Sequence, residues 1–101
     1  MLTVNILKEK EQTVLQLIGL LESNSAAQLE DAVAKVLNEN NTNVCLDLEK
    51  LEYTSSKGLR IILSLQKGLQ AKGCNLTLRH IQPAVKEVFE VTGFTDFMDI
   101  Q

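Results

Sequence analysis

Two adjacent serines, Ser55 and Ser56, are the groups through which this chain could most readily do chemistry. They follow the apolar run Val44-Cys45-Leu46-Asp47-Leu48 and the acidic stretch Glu49-Lys50-Leu51-Glu52. They precede Lys57-Gly58 and the apolar positions Leu59, Ile62, Leu63, Leu65 and Leu69. The pattern places both hydroxyls where a strand and a turn give way to a long helix. A serine at a helix start accepts a hydrogen bond from a first-turn N–H, a cap worth about 1 kcal/mol. The same position lies beside unpaired backbone N–H groups at the positive end of the helix dipole, which favours a phosphate ester. The pair is therefore either a plain cap or a charge switch. Phosphate adds about −1.5 to −2 charges at neutral pH. That charge is tolerable on an exposed helix start and strongly unfavourable against an acidic partner.

Other constellations are weaker. His80 is the only histidine and has no spaced partner, whereas metal sites need several converging ligands. No metal site and no cofactor are expected. Ser55 or Ser56 with His80 and Asp47 supplies the side chains of a nucleophilic triad, but the local text Thr54-Ser55-Ser56-Lys57-Gly58 is not a Gly-x-Ser-x-Gly elbow. No Walker loop or dinucleotide fingerprint is present, and glycines 19, 58, 68, 73 and 93 stand alone. Nothing in the sequence marks an enzyme. Cys45 and Cys74 sit in apolar, strand-like runs and are read as small buried hydrophobes of a reducing compartment.

The elements that must position the serines follow from composition and periodicity. At 101 residues, with 45% apolar and 23% charged positions, the chain is expected to form a single domain over residues 1–101. Its net charge is −3 and its basic residues are scattered, which disfavours direct nucleic-acid binding. No segment approaches the ~20 apolar residues of a membrane span, so no membrane insertion is expected. Met1-Leu2-Thr3-Val4-Asn5 does not read as a signal peptide, and the cytoplasm is the expected compartment.

Leu2–Leu7 and Thr13–Ile18 read as a strand pair around a charged turn, Lys8-Glu9-Lys10-Glu11. Gly19-Leu20-Leu21-Glu22 leads out of it. Ser25-Ala26-Ala27-Gln28 has capping-box spacing, and Leu29, Val33, Val36 and Leu37 continue at helical spacing. The polar cluster Asn38–Asn43 ends that helix. Val44–Leu48 reads as a central strand covered on both faces. The helix after the serines closes at Ala71-Lys72-Gly73. Cys74, Leu76, Thr77 and Leu78 form a further strand. Pro83 opens a third helix that ends at Thr92-Gly93, and Phe94, Phe97, Met98 and Ile100 make a last short apolar segment. The expected class is α/β, in the order β-β-α-β-α-β-α-β: a mixed sheet of four to five strands with three to four helices.

Several of these segments, in this order, resemble the STAS domain family and its stand-alone bacterial anti-sigma factor antagonists. Gly19-Leu20-Leu21-Glu22-Ser23-Asn24-Ser25-Ala26 looks like the family's Gly-x-Leu-Asp-x-x-x-Ala approach to the first helix. Leu46-Asp47-Leu48 looks like its central strand, and Tyr53-Thr54-Ser55-Ser56-Lys57-Gly58-Leu59 like its Asp-Ser-Ser/Thr-Gly-Leu phosphorylation loop. Pro83–Phe94 looks like its closing helix and turn. Anchored on Gly58-Leu59, the resemblance places Ser56 at the phosphoacceptor, Ser55 at the usual aspartate and Lys57 at the usual Ser/Thr; Glu22 stands at another usual aspartate. It implies a domain that binds an anti-sigma factor with serine kinase activity while unphosphorylated, so releasing a sigma factor. Phosphorylation at Ser56 would end that binding and a phosphatase would restore it. The implied contact surface is Glu22, Ser23, Asn24, Ser55, Ser56, Lys57 and Gly58. Asp47 is expected to support the loop from the strand end, and a monomer is expected. Two other roles are open to the same fold: a constitutive, non-phosphorylated subunit of a larger complex, for example in lipid transport, and a small-molecule or nucleotide sensor.

Overall fold

The computed structural model describes residues 1–39, 42–96 and 98–101. The strands are β1 (Leu2–Lys8), β2 (Gln12–Leu21), β3 (Asn43–Thr54), β4 (Leu76–Arg79) and β5 (Asp99–Ile100). The helices are α1 (Ala26–Asn38), α2 (Ser56–Ala71) and α3 (Pro83–Val91), and a 3₁₀ turn spans Phe94–Asp96. The strands form one sheet in the order β1-β2-β3-β4-β5. β1 pairs antiparallel with β2, and every later pair is parallel, each joined through a helical connection.

Register explains the core. Thr13, Val44 and Leu76 lie side by side across the sheet, as do Leu15, Leu46, Leu78 and Ile100. Paired residues point to the same face. Leu15, Val44, Leu46, Leu76 and Leu78 join Leu29 and Val33 of α1, Ile62, Leu65 and Leu69 of α2, and Val85 and Phe89 of α3 in one buried cluster. Each fully buried aliphatic or aromatic side chain contributes roughly 1.5–3 kcal/mol. The opposite face carries Asn5, Gln16, Asp47 and Arg79 in register. There Val14 and Cys45 are buried outside the main cluster.

Several boundaries differ from the sequence expectation. β2 runs on through Gly19-Leu20-Leu21, and β3 continues through Glu49–Glu52, read above as a turn, to Thr54. Parallel pairing of Ile18–Leu21 with Lys50–Thr54 holds both extensions, and the register shifts twice along the way. Cys74 is buried but lies in the turn before β4, not in the strand. The capping box at Ser25 is not formed. Ser25 Oγ donates to the Leu20 carbonyl at 3.0 Å and accepts the Glu22 N–H at 3.0 Å, so it is committed to the β2–α1 turn rather than to helix N–H groups. Of the polar cluster after α1 and the last apolar segment, Asn40, Asn41 and Phe97 lie outside the described residues.

Candidate functional site

The two serines sit on different sides of the α2 boundary. Ser55 is the N-cap, with extended backbone (φ −92°, ψ 168°), and its Oγ accepts the Gly58 N–H at 3.2 Å. Ser56 is the first residue of α2; its side chain is exposed and makes no hydrogen bond among the described residues. Capping therefore falls to one serine and leaves the other hydroxyl free at the helix start.

Three interactions fix this junction. The Ser55 N–H donates to the Leu21 carbonyl at 2.8 Å, tying the end of β2 to the start of α2. Thr54, buried at the end of β3, donates its hydroxyl to the Ser55 carbonyl at 3.2 Å. Gly58 is buried tightly enough that a Cβ there would stand 2.6 Å from Leu21 Cγ and Cδ2 and 2.9 Å from Thr54 Oγ1. Thr54 and Leu21 were not among the residues the sequence singled out. The signal for Thr54 is a small hydroxyl residue immediately before a cap; Leu21 carries none, because it meets Gly58 only through the sheet register.

Because Leu21 pairs with Thr54, the β2–α1 turn and the start of α2 lie side by side. Ser23 and Asn24 are exposed, and Glu22 is partly exposed and pairs with the N-terminal ammonium at 3.5 Å. Lys57 is exposed on the first turn of α2. The structure thus brings Glu22, Ser23, Asn24, Ser55, Ser56, Lys57 and Gly58 to one end of the sheet.

Asp47 is not part of this cluster. It lies within β3, so roughly 20 Å of extended strand separates it from Thr54. Its contacts are the Glu49 N–H at 3.1 Å, Arg79 Nε at 3.4 Å and His80 Nδ1 at 3.3 Å. The expectation that it supports the serine loop is corrected accordingly: Asp47 braces the end of β4. Burial pushes its carboxyl pKa up, but the Glu49 amide, His80 and Arg79 together outweigh burial and hold it below the ordinary value. Arg79 also reaches Glu9 in the β1–β2 turn at 3.1 Å, and that hydrogen bond lowers the Glu9 pKa. Asp47, Glu49 and His80 each bring a ligand-type atom within 4.8 Å of the others. Arg79 already neutralises Asp47, and the group acts as a brace between β3, β4 and the hairpin turn.

A mixed sheet of this order, with an exposed hydroxyl at the start of the helix after the central strand, makes a small α/β module. The family model described as "Mlab, STAS domain" matches residues 4–100, and the chain belongs to the STAS domain family. It is 38% identical over 82 residues to BtrV of Bordetella bronchiseptica, which bears the name of an anti-sigma factor antagonist; the match covers 81% of this chain and 71% of that protein. Among solved structures, an anti-sigma factor antagonist from Mycobacterium paratuberculosis superposes with a TM-score of 0.88 at 20% identity, covering 99% of this chain and 85% of that one. The Bacillus cell fate determinant SpoIIAA in its phosphorylated form superposes with a TM-score of 0.74 at 19% identity, covering 100% and 91%. At such identities these structures speak for the fold. No described helix is long and apolar enough to cross a membrane.

Proposed function

We propose that residues 1–101 act as one STAS domain that antagonises an anti-sigma factor and is switched by phosphorylation of Ser56. In the unphosphorylated state the domain binds an anti-sigma factor with serine kinase activity, through Glu22, Ser23, Asn24, Ser55, Ser56 and Lys57, and a sigma factor is released; Gly58, expected on the same surface, is buried and serves instead to let the loop pack closely on Leu21 and Thr54. Phosphate on Ser56 ends the contact and a phosphatase resets it. The domain is the kinase's substrate and not itself a catalyst; it works as a monomer in the cytoplasm and needs no cofactor. The observation that carries this reading is the division of labour at the α2 start: Ser55 caps the helix while Ser56 stays exposed and unbonded. A modification there leaves the cap intact, so the charge changes the surface without unfolding the domain. The names of BtrV and of phosphorylated SpoIIAA support the same reading.

The test is intact-mass and peptide analysis after incubation with ATP and lysate of the host. A single phosphate on Ser56 is expected, with binding of the kinase abolished in Ser56→Asp and constitutive in Ser56→Ala. If both variants bind as the parent does, the switch is refuted. Two observations favour a second reading, a constitutive subunit of a larger complex, for example in lipid transport. Ser55 and Lys57 stand where the family motif carries Asp and Ser or Thr, and the matching family model is described as "Mlab, STAS domain". Absence of phosphate with a working kinase control, together with stable capture of a partner by the unmodified chain, would establish that reading instead.

A further inference from the structure

α1 and α2 pack on the same face of the sheet but do not close on each other along their whole length. At one end they touch. A Cβ on Gly68 would stand 2.8 Å from Leu37 Cδ1, and Lys72 Nζ donates to the Leu37 carbonyl. Before that contact a groove of about 560 Å³ runs between the two helices. Val33, Ala34 and Leu37 of α1 and Ile61 of α2 give it an apolar lining. Ala34 is exposed and Leu37 is partly exposed, so this apolar strip is open to solvent. Lys57 and Arg60 line the α2 side; both are exposed, and neither forms an ion pair among the described residues. Glu30 lines the α1 side and comes within ion-pair distance of neither.

Shape and charge indicate what covers it. The lining runs from Glu30 to Leu37 on one helix and from Lys57 to Ser64 on the other, two turns of each, or about 10 Å. A gap between the sides of two helices takes the ridge of a third, with apolar side chains at i, i+3, i+4 and i+7 entering it. Two unpaired cations against one carboxylate give the groove a positive balance, placed along α2. We propose that this groove seats a short amphipathic helix of a partner protein, apolar side inward and acidic along the flank that faces α2. Lys57 lines the groove and also adjoins Ser56, so the groove prolongs the contact surface described above away from the serine loop. The docking goes beyond the Ser56 switch and does not depend on it.

The test titrates the full chain with two synthetic helical peptides of about 14 residues and follows its amide NMR shifts. Both peptides carry leucine at i, i+3, i+4 and i+7; one has glutamate at the flanking positions and the other lysine. The glutamate peptide is expected to shift Ala34, Leu37, Arg60 and Ser64 saturably. It should bind roughly tenfold more tightly than the lysine peptide at about 50 mM salt, with the difference shrinking at about 0.5 M. Arg60→Glu, an exposed change, should abolish that preference. Ala34→Gln fills the groove from an exposed helical position without touching the core, and should weaken the glutamate peptide roughly fivefold or more. Equal binding of both peptides would reduce the groove to a non-specific apolar surface and overturn the proposal. So would shifts centred elsewhere, or no saturation by about 1 mM peptide. A concentration-dependent dimer that buries Ala34 and Leu37 would make a second copy the occupant and overturn it too. None of these results bears on Ser56, whose phosphorylation the mass analysis tests separately.

Discussion

The backbone N–H of Ser55 donates to the carbonyl of Leu21 at 2.8 Å, so the last residue of β2 and the residue that caps α2 are held as one unit. This bond sets the β2–α1 turn beside the helix start. Chain segments some thirty positions apart thereby form a single surface, and the geometry of Ser56 depends on the end of β2 as much as on its own helix.

Loss of the cap should cost stability without removing the proposed acceptor, Ser56. Ser55→Ala deletes the oxygen that accepts the Gly58 N–H, and about 1 kcal/mol of destabilisation is expected. For a domain of this size that corresponds to a fall in melting temperature of roughly 4–8 °C. Thermal unfolding followed by circular dichroism measures it, and phosphate mapping of the same variant should still locate Ser56.

Ser56→Ala should leave stability within about 0.5 kcal/mol of the parent, because the side chain is exposed and unbonded. Urea denaturation of the two proteins checks this. A loss of more than about 1.5 kcal/mol would mean that the hydroxyl has a structural partner, and the idea of a free acceptor would fail.

Gly58→Ala should be the most damaging small change in the loop. Its Cβ would meet Leu21 at 2.6 Å and Thr54 Oγ1 at 2.9 Å, closer than packed atoms approach. Leu21 is fully buried and cannot swing into solvent, so about 1–3 kcal/mol of overpacking is expected. The better helix propensity of alanine, roughly 1 kcal/mol, offsets only part of it. The midpoint of urea unfolding should move down with little change in slope.

Acid should weaken the brace at Asp47. Its folded pKa is depressed, so its stabilising contribution is full above the unfolded carboxyl value of about 4 and is lost as pH falls through the lower folded value. Asp47→Asn should be less stable than the parent at pH 7 and should lose less stability between pH 6 and pH 3. Unfolding free energies across that range measure the difference. Parallel pH profiles for the two proteins would show that Asp47 carries no part of the acid sensitivity.

The sequence by itself determined the order of elements and the place of the serine pair at the start of α2. Apolar spacing at Leu59, Ile62, Leu65 and Leu69, proline at the start of α3 and glycine after α2 and α3 are local signals, and each element formed where they stood. The serine pair was likewise legible, because a cap and the residue after it are defined within one helical turn. What the tertiary structure alone decided rests on partners distant in sequence. The acidic stretch Glu49–Glu52 became strand because β2 lies beside it, against its weak local propensity. Ser25 turned from its helix to the β2–α1 turn because the Leu20 carbonyl and Glu22 N–H were nearer claimants. Asp47 turned toward Arg79 and His80 because β4 docks beside β3, which no spacing in the chain announces. Local periodicity fixes which residues are helix or strand; the direction of a polar side chain is fixed by whichever unpaired donor or acceptor the folded chain brings within reach.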